Sequence, residues 1–233
     1  MLSTLVLFDI DGTLLLTAGA GRRAIMEALG DLIGGADVFD RVRFDGKTDP
    51  QIVIELLEAG GHHAPRDPAV IDLVCRRYVG LLATELLQPR SRTTLMPGVV
   101  DLLVALEAEP GVMLGLVTGN MAEGAALKLR AGGLAPERFL VGAYGSDSAH
   151  RPDLPPIAAG RAAPHFGRVP RGREVVIIGD TPADVTCGRG IEARAIGVAT
   201  GAYPVAALAE AGAHLAVADL TNTTRLVEVI LGE

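Results

Sequence analysis

Leu5-Val6-Leu7-Phe8-Asp9-Ile10-Asp11-Gly12-Thr13 is the stretch on which the reading of the fold turns. An apolar run of this length, rich in branched residues and closed by a Gly-containing turn, reads as a buried parallel strand. Its end then falls where open α/β sheets place their ligands. Asp9 and Asp11, two positions apart, share one face of an extended chain and can converge on one cation or one reacting group. A capped turn is the competing reading, since Asp, Gly and Thr are ordinary turn residues. That reading loses weight because two later strand ends also finish in polar residues.

From about Thr17 the pattern becomes helical, with a helix expected through about Leu32 and others at Asp49–Ala59 and Pro68–Leu87. Ile52 and Leu56, and then Ile71, Val74, Tyr78 and Leu82, recur at helical spacing. Gly19-Ala-Gly21-Arg-Arg-Ala24 has the spacing of a dinucleotide fingerprint but starts well beyond the strand end, so the glycines read as a hinge into a helix. Residues 17–94 thus read as an all-helical block between the opening strand and the next. Pro97-Gly98 opens a helix that Pro110-Gly111 closes. Val112–Val117 is then a strand ending in Thr118-Gly119-Asn120, a turn whose backbone N–H groups suit an anion or simply cap the helix that follows. Phe139–Gly142 is a weak strand, and a Pro-rich turn at 151–156 leads to a helix through about His165. Glu174–Ile178 is the strongest strand, ending in Gly179-Asp180-Thr-Pro-Ala-Asp184, where a helix starting at Pro182 brings the two carboxylates near each other. Further strands at Arg194–Val198 and Leu215–Val217 alternate with helices at Val205–Ala211 and Thr223–Leu231. The expected fold is α/β, a doubly wound parallel sheet with right-handed crossovers. Core residues are expected at 1–16 and 95–233, with 17–94 as an inserted helical domain.

A chain of 233 residues can bury a large core without staples. Cys75 and Cys187 are its only cysteines, too few for a disulfide framework or a thiolate metal site, and both read as packing in a reducing compartment. The net charge of −7, with no basic block, argues against nucleic acid as a partner. The opening apolar stretch is too short for a membrane span, so a cytoplasmic protein is expected. Lys47 and Lys128 are the only lysines among 21 basic residues. A reaction that needs a lysine must use one of them or accept arginine.

Three strand ends therefore carry Asp-x-Asp, Thr-Gly-Asn and Gly-Asp-x-x-x-Asp, and a parallel sheet puts all of them on one edge. Carboxylates gathered there repel unless a hard cation neutralises them, and Mg²⁺ suits such oxygen donors.

In these residues the chain resembles the haloacid dehalogenase-like (HAD) superfamily, most closely its phosphoglycolate phosphatase-like members. Asp9-Ile-Asp11-Gly-Thr13 is similar to the family's first motif, Thr118-Gly-Asn120 to its second and Gly179-Asp180-x-x-x-Asp184 to its fourth. Residues 17–94 fall where the family carries its C1 cap, and Met96-Pro97-Gly98-Val99 resembles the return into the core. The resemblance implies a Rossmann-like core and a Mg²⁺-dependent phosphatase acting on a small phosphorylated metabolite through an aspartyl-phosphate. It implies Asp9 as nucleophile and Asp11 as acid and base. Asp9, Asp11 by its main-chain carbonyl, and Asp180 would hold the metal, with Asp184 orienting a metal-bound water or the basic residue. Thr118, Gly119 and Asn120 would hold phosphoryl oxygens. The third motif departs: Arg151-Pro152 stands where the family offers a lysine, and Arg161 is a second candidate. Lys128 follows the second motif closely and reads as a surface helix lysine.

A dehalogenase also uses an aspartate nucleophile, but Asp11 argues against it because a halide needs no acid to leave. A phosphomutase shares every core residue named, and a non-enzymatic phosphate- or metal-binding module is the third alternative. Specificity is expected from the helical block. There Phe44-Asp45-Gly46-Lys47-Thr48-Asp49 is either a solvated loop with Thr48 as a helix cap, or a substrate-facing turn in which Lys47 meets an anionic leaving group such as that of phosphoglycolate. Arg22 and Arg23 are further candidates.

Overall fold

The computed structural model describes residues 3–30 and 32–232. Six parallel strands form its sheet: β1 (Thr4–Phe8), β4 (Val112–Val117), β5 (Val141–Ala143), β6 (Val175–Gly179), β7 (Arg194–Val198) and β8 (Leu215–Val217). Their order is β5-β4-β1-β6-β7-β8. The chain therefore winds outward from β1 in one direction, returns, and winds outward from β6 in the other. The reversal falls between neighbouring strands β1 and β6, where such sheets open a crevice at their carboxyl ends.

Every residue of β1 is buried because both faces of the sheet are covered. Val6 and Phe8 pack with Leu102 and Leu106 of α4 (Val99–Glu107), Leu129 of α5 (Ala122–Ala131), and Leu226 and Ile230 of α9 (Thr223–Leu231). Leu5 and Leu7 face the other way, onto Leu154, Ala158 and Ala162 of α6 (Leu154–Phe166). A strand covered on both sides has no polar face to alternate with, so its sequence is one apolar run.

Helices α1 (Ala20–Leu29), α2 (Asp49–Ala59) and α3 (Pro68–Glu85) share a separate apolar cluster that includes Ile25, Leu29, Val53, Leu56, Tyr78 and Leu82. The reading of 17–94 as helical needs correction at Thr94, which lies in a short strand. The departing chain, β2 (Leu15–Leu16), pairs antiparallel with the returning chain, β3 (Thr94–Leu95), since two crossings side by side satisfy each other's backbone groups. The first helix ends at Leu29 rather than Leu32, the strand expected at 139–142 lies at Val141–Ala143, and of the opening strand Leu2 lies outside the described residues. The remaining helices are α7 (Pro182–Cys187) and α8 (Val205–Glu210). No helix among the described residues is long and apolar enough to cross a membrane.

Candidate active site

Neighbouring strands β1 and β6 pair Phe8 with Ile178, and the Asp9 N–H extends the ladder to the Ile178 carbonyl at 2.9 Å. Asp9, the first residue past β1, and Asp180, the first past β6, therefore emerge close together. Gly12 turns the chain at φ 86°, and a Cβ there would lie 2.4 Å from Asp180 Oδ2, so only glycine lets the two tips approach. Thr13 Oγ1 donates to Asp180 Oδ1 at 3.1 Å. Asp184 is brought in by a capping box at the start of α7: its Oδ2 accepts from Thr181 N (3.0 Å) and Oγ1 (2.6 Å), while its own N–H donates to Thr181 Oγ1 at 3.2 Å.

Asp9, Asp180 and Asp184 are buried, and one carboxylate oxygen from each lies within 4.8 Å of the others. Burial is the main cause that pushes Asp9 up to about 7, with Asp184 adding to it and Arg151 opposing. Asp180 is pushed up to about 9, by burial and then by Asp184 and Asp9. Carboxyl groups held this way are disfavoured as anions unless positive charge joins them. Arg151 brings part of that charge, for its Nη2 donates to Asp9 Oδ1 at 3.1 Å and to Asp184 Oδ1. Its Nε is buried and has no acceptor among the described residues. Hard oxygen donors, close packing and unmet negative charge fit a small divalent cation. Arg161 lies elsewhere, donating to the Gly142 carbonyl at 2.6 Å and to Asp147.

Asp11 turns away from Asp9 to a different cation. Lys128 Nζ donates to Asp11 Oδ1 and Oδ2 at 2.8 and 2.7 Å and to Asn120 Oδ1 at 2.6 Å. Asn120 Nδ2 in turn donates to Asp11 Oδ2 and to Thr118 Oγ1, both at 2.8 Å. The expectation of a surface lysine at 128 is therefore wrong. Lys128 lies on the buried stripe of α5 with Gly124, Ala125 and Leu129. The i, i+3, i+4 spacing of small and apolar residues around it was the available signal.

Asp9, Asp11, Asn120, Lys128, Arg151 and Asp180 line a cavity of about 220 Å³ between the strand tips and the helical block. Asp49, not singled out in the sequence, closes one side. Its N–H donates to the Gly119 carbonyl at 2.7 Å, and its Oδ2 accepts from Met121 N at 2.7 Å. Burial pushes Asp49 up to about 6 against the pull of Lys128. Thr48 caps α2 by accepting from Gln51 N at 3.2 Å, but it is also fully buried and donates to the Ala149 carbonyl at 2.8 Å, so the turn is not a solvated loop. A Cβ on Gly119 would lie 2.1 Å from the Lys47 carbonyl, which is how closely this turn meets the second strand-end motif.

Lys47 lines the cavity with its ammonium paired to Glu55. Arg22 also lines it, donating to the Phe39 carbonyl at 2.8 Å and to Asp40 at 3.1 Å. Arg23 is outside it, bound to Glu85 at 2.6 Å. The thiols of Cys75 and Cys187 are both pushed up to about 12, chiefly by burial, as suits packing residues.

The profile of the haloacid dehalogenase-like hydrolases matches residues 4–191. No curated protein matches the sequence. Similar solved structures include a predicted phosphoglycolate phosphatase from Haemophilus somnus 129PT (18% identity, TM-score 0.71, covering 97% of this chain and 98% of that one). CbbY from Rhodobacter sphaeroides in complex with phosphate is another (19%, TM-score 0.71, 95% and 96%), as is a β-phosphoglucomutase from Clostridium difficile (15%, TM-score 0.72, 100% and 98%). At these identities the likeness shows a shared fold. The profile match covers most of the chain, which belongs to the haloacid dehalogenase-like hydrolase family and is an enzyme of that family.

Proposed function

We propose that this enzyme is a Mg²⁺-dependent phosphatase acting on a small phosphomonoester through an aspartyl-phosphate, with residues 17–94 as its cap. The observation that carries the reading is the buried group Asp9, Asp180 and Asp184, joined by Arg151 at the tips of β1 and β6. Mg²⁺, held by Asp9, Asp180 and the Asp11 main-chain carbonyl with Asp184 nearby, would neutralise charge on the phosphoryl group and on these carboxylates.

An Asp9 carboxylate oxygen bonds to phosphorus as the bond from phosphorus to the ester oxygen breaks. The departing oxygen takes a proton from Asp11. Asp11 then accepts a proton from water, whose oxygen attacks phosphorus and breaks the bond to Asp9, releasing inorganic phosphate and restoring both aspartates. Arg151, which keeps an unused Nε donor, and Thr118 with the adjacent backbone N–H groups balance charge on the phosphoryl oxygens. The cavity's size favours a small leaving group. Its cap wall is mixed in charge, with Asp45 and Asp49 beside Lys47 and Arg22. Preference for an acidic ester such as phosphoglycolate thus rests on Lys47 exchanging Glu55 for the substrate's carboxylate.

Phosphate release from a panel of small phosphate esters tests the reading. Asp9→Asn should abolish it with the melting profile of a folded protein retained, and chelation should abolish it reversibly. Turnover surviving in the Asn variant would remove the covalent mechanism.

A further inference from the structure

The two aspartates that leave β1 are divided between two cations. Arg151 takes Asp9, and Lys128 takes Asp11 by both carboxylate oxygens. The pairing is unequal in exposure: the Lys128 side chain is 5% exposed and that of Asp11 41%. A lysine so deeply buried is costly unless its three protons find acceptors. All the acceptors it has are groups of the site, Asp11 Oδ1, Asp11 Oδ2 and Asn120 Oδ1. An apolar residue would fill the same place on the stripe of Gly124, Ala125 and Leu129 without any such demand. Packing alone therefore gives no reason for an ammonium here.

We propose that Lys128 is a positioning residue for the acid and base chemistry of Asp11. This rests on the phosphatase reading, in which Asp11 hands a proton to the departing oxygen. With Asn120, which also donates to Thr118, Lys128 fixes the Asp11 carboxylate relative to the groups that hold the phosphoryl oxygens. The cap completes the enclosure. A Cβ on Gly21 of α1 would lie 3.3 Å from Lys128 Nζ and 3.6 Å from Tyr78 Oη, so the missing side chain at 21 makes room for the ammonium head. Lys128 thus acts on how well Asp11 serves a poor leaving group, and has little part in gripping the phosphoryl group.

The test uses the full chain with Mg²⁺ and a series of aryl phosphates whose phenols differ in acidity, reading kcat/KM against leaving-group pKa. Wild type should show a shallow dependence. Lys128→Met, close in shape to lysine, should lose on the order of 100-fold on the poorest leaving group and less than about fivefold on p-nitrophenyl phosphate, steepening the slope toward that of Asp11→Asn. In the Asp11→Asn background the same change should have almost no further effect. A uniform loss across the series with an unchanged slope, or a full loss persisting in the Asp11→Asn background, overturns the assignment. Thermal melting checks folding, and Lys128→Gln is read in the same way should the Met variant fail to fold. A wild-type protein that cleaves none of these esters defeats the phosphatase reading itself, whereas wild-type turnover with an unchanged slope in the variants defeats only the role of Lys128.

Discussion

Replacing Asp180 with Asn should stabilise the metal-free protein while abolishing its response to Mg²⁺. The carboxyl group ordinarily titrates at 3.8 and is pushed up to about 9 here by burial, Asp184 and Asp9. An acid whose folded-state value is raised contributes stability that is fully present below about 4 and is lost as pH rises through about 9. At pH 7 the unfolded chain has released a proton that the folded chain still holds, and the gap from 3.8 to 7 amounts to roughly 4 kcal/mol against folding. Asp9 rises for the same reasons, so the two penalties overlap and that figure is an upper bound for one substitution. Asn keeps an acceptor for Thr13 Oγ1 and removes the charge. For a chain of this length, a gain of about 2–4 kcal/mol corresponds to roughly 5–15 °C in Tm. The assay is a melting series at pH 6, 7 and 8, each with excess chelator and with excess Mg²⁺. Wild type should lose stability from pH 6 to 8 in chelator and recover it with Mg²⁺, more so at pH 8. Asp180→Asn should melt higher than wild type in chelator and gain nothing from the cation. A variant less stable than wild type in chelator, or a wild-type protein whose Mg²⁺ response is the same at all three pH values, would refute the argument that repulsion and burial dominate at this site.

Arg151→Ala should cost at least about tenfold in kcat/KM while Arg161→Ala matters little, and Arg151→Lys should be partly active because a point charge does not replace the guanidinium fork. Steady-state kinetics on one ester decides it, and the reverse order would move the role to Arg161. Lys47→Ala should raise KM for phosphoglycolate and leave a neutral aryl phosphate almost unchanged. Equal effects on both esters would take Lys47 out of substrate recognition. Asp49→Asn keeps an acceptor for Met121 N and removes a carboxyl pushed up to about 6, whose contribution is present below about 4 and lost as pH rises through about 6. The fall in Tm between pH 4 and 6 should therefore be shallower in the variant, by up to roughly 3 kcal/mol of stability, and identical slopes would count against that assignment.

How much of this enzyme could be read from its residues depends on the range over which each feature is decided. The strands were legible because β1, β4 and β6 are apolar runs that end abruptly in polar residues, and burial on both faces imposes that pattern locally. Their tips fall on one edge because parallel strands leave no other arrangement, which brings Asp9, Asp180 and the Thr118 turn to one place. The helix starts were legible for a similar reason, since Thr48 and Thr181 satisfy backbone groups only three residues away. Charge partners were not. Lys128 and Asp11 are 117 residues apart in sequence, Asp49 and Met121 72 apart, and Arg151 and Asp9 142 apart. A lysine on a helix has the same local propensity whether it faces water or a carboxylate, so the apolar spacing around residue 128 marks a buried face but does not name the carboxylate that meets it. Which cation takes which aspartate, whether the cap turn meets solvent or Gly119, and that the two crossings pair as a ribbon are decided only when distant segments pack. The sequence by itself determined which groups stand at the sheet edge; the tertiary structure decided how they are paired, because desolvation and ion pairing depend on neighbours that local sequence does not specify.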